Sequence, residues 1–125
     1  MKNEIDKVPK TVNVLGTEYK IKFSSKENDP KMEGADGYFE EVSKEIYLSI
    51  SMFKNSDPLV IRGLQTKYWK KVLRHELIHA FICESGLDSE STWARNEEMV
   101  DWIARQFPKM ADCFKAAGIL QKGGF

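Results

Sequence analysis

The chain has 125 residues, which predicts one domain with a real but modest hydrophobic core. Its 19 Lys and Arg balance 19 Asp and Glu, for a formal net charge of zero, so no nucleic-acid or anionic-membrane footprint is expected. No apolar run approaches the roughly 18 residues of a membrane span, and Met1-Lys2-Asn3-Glu4-Ile5-Asp6 lacks the apolar core of a signal peptide. The cysteines are Cys83 and Cys113. Both have apolar neighbours and no secretion signal precedes them, so they read as free thiols in a reducing, cytoplasmic compartment.

The first ten residues are polar and are expected to be loose, as are residues 121–125. Val12 and Val14, then Tyr19, Ile21 and Phe23, alternate with polar residues on either side of Leu15-Gly16-Thr17-Glu18, which predicts a β-hairpin. Ser25 to Gly37 is rich in turn residues and reads as a loop. Tyr38-Phe39 and Ile46 to Ile50 predict two more strands around a polar turn near Val42-Ser43-Lys44. Asp57-Pro58 is a helix start. Gly63 interrupts it and Thr66 begins a fresh helix that runs to about Ser85, with Gly86 placed as its C′ residue. A second helix is expected over Trp93 to Gln106, ended by Pro108, and a third over Met110 to Ala117. Strands followed by helices predict an α+β fold, a small antiparallel sheet packed on helices.

The long helix carries His75-Glu76-Leu77-Ile78-His79, an H-E-x-x-H sequence that uses both histidines of the chain. Histidines four apart on a helix lie on one face, one turn apart, where their imidazoles can converge on one Zn2+. Glu76 projects beside that metal, the place for a general base acting on a water. From Leu73 onward apolar residues surround the helix, which predicts that it is buried. Two histidines and a glutamate there would cost several kcal/mol unpaired, and a metal supplies the partner.

A catalytic zinc takes three protein ligands, so the third must be a carboxylate or a thiolate. Cys83 shares the face of His79, but three consecutive i, i+4 ligands on one straight helix lie nearly in line, so Cys83 reads as core. Glu97 and Asp101 share a face with Val100, Ala104 and Phe107, whereas Glu98 shares its face with Arg105. Glu97 is therefore the expected third ligand and Asp101 the carboxylate that accepts the free N–H of a ligating imidazole. Candidates to stabilise an oxyanion are Tyr38, Tyr68 and Arg95. The strand Glu45 to Ile50 is a candidate sheet edge for an added peptide strand.

The H-E-L-I-H sequence followed by Glu97-x-x-x-Asp101 resembles the gluzincin metallopeptidases. Gly37-Tyr38-Phe39, Glu45 to Ser49, and Glu97, Asp101, Ile103 and Ala104 narrow this to the small ImmA/IrrE type, common in phages and mobile elements. The resemblance spans about Gly37 to Phe107 and implies a stand-alone zinc protease domain, phage- or prophage-encoded, acting on a protein or peptide substrate. The alternative is a zinc-containing module that binds a protein and cuts little or not at all.

Overall fold

The computed structural model describes residues 3–54, 57–61, 63–89 and 91–120. Strands β1 (Thr11–Val14) and β2 (Thr17–Ser24) form the expected hairpin. Its turn is only Leu15-Gly16, with φ of 50° and 93°, the left-handed pair that matches the twist of a two-residue hairpin. Asn13 Oδ1 accepts from the Gly16 N–H at 2.9 Å. Strands β3 (Gly37–Glu40) and β4 (Glu45–Ser49) follow. The fold is α+β as expected.

The sheet, however, is mixed. Its order is β1-β2-β4-β3, with β2 and β4 parallel and the outer pairings antiparallel. A parallel pair needs a long crossover, and residues 25–44 provide one. Strands β2 and β4 are the interior pair, and β4 buries Ile46, Leu48 and Ser49. This puts β4 between two partners, so the predicted edge at Glu45 to Ile50 is interior; the edges are β1 and β3, and β3 is the one that lines the cleft beside α2.

A short helix α1 (Pro58–Ile61) ends before Gly63, and α2 (Gln65–Glu84) lies across the sheet. Tyr19, Ile21, Ile46 and Leu48 from the sheet meet Trp69, Val72, Leu73 and Ala80 from α2 in the core. The surrounding apolar residues do not bury α2 on all sides: Phe81 is 46% exposed, and Leu77 and Ile78 are half-buried. No helix among the described residues is long and apolar enough to cross a membrane.

Carboxylates clamp both ends of α2. Glu4 accepts from Thr66 Oγ1 at 2.6 Å and Trp69 Nε1 at 2.8 Å. Val8 is buried as well, so Glu4 and Val8 both pack this segment on the body. The expectation for residues 121–125 falls outside the described residues. At the other end Glu84 accepts from Lys44 Nζ at 2.8 Å, Tyr19 OH at 2.5 Å and Thr17 Oγ1 at 2.7 Å. Those bonds, Lys44 foremost, hold the Glu84 carboxyl down at about 2. A depressed carboxyl contributes stability that is full above its unfolded value of about 4.5 and is lost as pH falls towards about 2. Urea unfolding should therefore show Glu84→Gln less stable than wild type at pH 7, with the gap closing towards pH 2. Parallel pH curves for the two proteins would contradict the clamp.

Helix α3 (Glu97–Ala116) is continuous, not the two helices expected around Pro108, and it starts four residues later than Trp93. Asn96 caps it, its Oδ1 accepting from the Met99 N–H at 2.8 Å. Pro108 has no N–H to give to the carbonyl of Ala104. Arg74 Nε of α2 donates to that oxygen instead, at 2.8 Å. The break is thus healed from the neighbouring helix, a contact with no local sequence signal.

Candidate metal centre

His75 and His79 stand one turn apart on α2, with ring centroids 5.0 Å apart. Across an open cleft of about 450 Å3, Glu97 opens α3. His75 Nε2 lies 2.9 Å from Glu97 Oε2, and His79 Nε2 lies 3.0 Å from Glu97 Oε1. A tetrahedral ion about 2.0–2.1 Å from its donors holds them about 3.3 Å apart. Measured to the single oxygen Glu97 Oε2, the separations are 2.9 Å from His75 Nε2 and 3.3 Å from His79 Nε2, within a few tenths of an ångström of that, so the spacing of these donors is compatible with zinc. The structure brings the three expected ligands together. Asp101, one turn further along α3, places Oδ1 3.4 Å from His75 Nδ1, on the side of the ring away from Glu97. Its other oxygen takes Arg105 Nε at 2.7 Å.

One expectation needs correction. The face of α3 that carries Glu97 does look towards α2, but Glu97 itself is 69% exposed, because it sits at the rim of the cleft and not within the core. Ala94, in the turn before α3, is 1% exposed. Cys83 is half-buried and stands apart from the histidines, grouped with Glu41 and Asp88. Burial pushes its thiol up, and it has no part in the His75, His79 and Glu97 set.

Glu76 is only 7% exposed. Burial raises its carboxyl from 4.5 to about 7, opposed by the neighbouring His75 and reinforced by Glu97. Burial also lowers the pKa of His79, favouring the neutral imidazole that ligates metals. A carboxyl poised near neutrality beside two convergent imidazoles is what a general base requires.

Three contributors carried no clear signal in the sequence. Phe39 stacks on His79, centroids 6.3 Å apart and planes 15° from parallel. Gly37 lets β3 press against α2: a Cβ there would lie 2.9 Å from both Tyr47 O and Val72 Cγ1. A glycine within a strand pattern does suggest such an approach. Asp88 also lines the cleft. Of the oxyanion candidates, Tyr38 and Arg95 line it and Tyr68 does not. Tyr38 donates its hydroxyl to Asp29, and Tyr68 donates to Asp36; burial raises both phenols, helped by those carboxylates. Arg95 Nε donates to Asp88 O at 3.0 Å.

Asp101→Ala should weaken zinc binding by about 10–100-fold, as the loss of a partner behind a ligating histidine does. Competition titration against a chelator measures this; an unchanged affinity would mean that Asp101 serves Arg105 alone. No family model, no curated protein and no solved structure matches the chain.

Proposed function

We propose that this chain is a zinc-dependent metallopeptidase, with His75, His79 and Glu97 as ligands and Glu76 as general base. The observation that carries the reading is the convergence of both Nε2 atoms on one carboxylate at 2.9–3.0 Å, with buried Glu76 on the adjoining position. Zinc, when bound, supplies a Lewis acid that polarises a peptide carbonyl and makes water acidic near neutral pH. Asp101 holds the His75 ring in orientation through Nδ1. Glu76 takes a proton from the attacking water at its carboxylate and passes it to the leaving amine. Arg95 stands in the cleft wall, where its positive charge can meet a developing oxyanion, whereas the Tyr38 hydroxyl is engaged by Asp29.

Strand β3 is the edge that borders the cleft, and its unpaired side suits an extended peptide added as a further strand. That assigns substrate alignment to Gly37–Glu40 in place of β4. The free Cys83 and Cys113 support a cytoplasmic, reducing setting. The likeness to the ImmA/IrrE metallopeptidases rests on the H-E-L-I-H sequence and on Glu97 and Asp101.

The test is a peptide pool incubated with zinc-loaded wild type and Glu76→Gln, read by mass spectrometry. Cleavage at defined bonds by wild type alone supports the peptidase. Peptides bound equally by both and cut by neither would favour a zinc-containing binding module.

A further inference from the structure

Among the described residues, the second half of α3 has little packed against it. Between Pro108 and Ala116 every described residue except Ala111 is exposed, and a helical segment that short is marginal alone in water. Its surface is not that of a solvated helix. At about 100° per residue, Ile103, Phe107, Met110 and Phe114 fall within roughly 60° of one another. Val100 and Ala104, on the adjoining sector, are the positions fully buried against the body. Glu98, Asp101, Arg105, Lys109, Asp112 and Lys115 all occupy the opposite half. Phe107 is 55% exposed, Phe114 39% and Met110 36%. The stripe continues onto α2, where Phe81 is 46% exposed.

We propose that this face joins two copies of the chain, α3 packing antiparallel on α3 about a two-fold axis. The spacing of Ile103, Phe107, Met110 and Phe114 is a heptad seam, Phe107 and Phe114 at one core position and Ile103 and Met110 at the other. Antiparallel pairing sets Phe107 against the partner's Met110, and Ile103 against the partner's Phe114. Beside Ile103 lies a groove of about 440 Å3 between α2 and α3, walled by Leu77, Ile78, Phe81 and Phe107. That groove receives the partner's Phe114. Hole and knob are both on this chain, so the contact is self-complementary and closes at two copies.

Charge points the same way. The positions flanking the seam are Ala104, Gln106, Ala111 and Cys113, all uncharged. Two copies meet there without like-charge repulsion, and no flanking charge selects a different helix. The exposed parts of Phe81, Phe107, Met110 and Phe114 sum to about 350 Å2 per copy, taking roughly 200 Å2 for each whole residue. That is about 700 Å2 for the pair, below the roughly 1,200 Å2 at which standard specific interfaces begin, so the contact is a weak, transient one. Nothing here depends on the metal reading.

Sedimentation equilibrium over about 1–200 µM protein tests it. Wild type should shift from monomer to dimer within that range. Phe114→Glu should be monomeric throughout with helical circular dichroism retained. Phe81→Glu, on the other helix, should lose the dimer too, whereas Lys109→Glu on the far side should leave it intact. A monomeric wild type would overturn the proposal and leave the face to a different protein. A dimer that survives both Phe114→Glu and Phe81→Glu would overturn it as well, since the contact would then lie elsewhere.

Discussion

Glu76→Gln is expected to cut peptide hydrolysis by about 10²–10⁴-fold, the contribution of a positioned base, and to make the metal-free protein more stable at pH 8. The two effects have one cause. Glu76 is buried where its charge is poorly solvated, so its carboxyl is raised from 4.5 to about 7. Between those values the folded protein holds a proton that the unfolded chain has released. Stability therefore falls as pH rises across that window, and above about 7 the full penalty is present. At 1.36 kcal/mol per pH unit the penalty is of order 3 kcal/mol. Glutamine carries no charge at any pH and should recover much of it. Urea unfolding of the two metal-free proteins should show the variant ahead at pH 8 and level at pH 4. A variant less stable than wild type at pH 8 would mean that the Glu76 charge is compensated in the fold. A variant that cleaves at the wild-type rate would remove Glu76 from the chemistry.

The second large effect separates the two glutamates that open α3. Glu97→Ala should weaken zinc binding beyond the roughly 10–100-fold of an outer partner such as Asp101, because it removes a donor. Glu98→Ala should leave affinity nearly unchanged, since among the described residues its side chain makes no contact with either histidine. The two proteins carry the same charge change on adjacent residues, so long-range electrostatics cannot separate them. Chelator competition on both variants checks this, and a larger loss for Glu98→Ala would exchange their roles.

The site was more legible in the sequence than the sheet. His75, Glu76 and His79 sit on a fixed helical period, and the placement of Glu97 and Asp101 follows from which residues share a turn with Val100 and Ala104. These are local rules, and the structure brings those side chains together. Strand order depends on contacts far apart along the chain. Nothing in Glu45 to Ser49 says that β4 inserts between β2 and β3, so its reading as an edge failed and β3 took that place. Pro108 failed as a helix stop for the same reason: the Arg74 guanidinium that caps the Ala104 carbonyl arrives from 30 residues away. The apolar circumference of α2 predicts burial, yet Phe81 lines an open groove. A periodic pattern shows which residues are apolar and not what covers them.

The proposed centre holds one zinc ion on His75, His79 and Glu97, and zinc X-ray absorption on metal-stripped protein reloaded with one equivalent reads its donors. The expected result is tight binding of one ion per chain, with two imidazole nitrogens and carboxylate or water oxygens at about 2.0–2.2 Å. A sulfur donor at about 2.3 Å would instead place the metal at Cys83 or Cys113, and that result, or a failure to retain zinc at all, would rule out the His75, His79 and Glu97 centre.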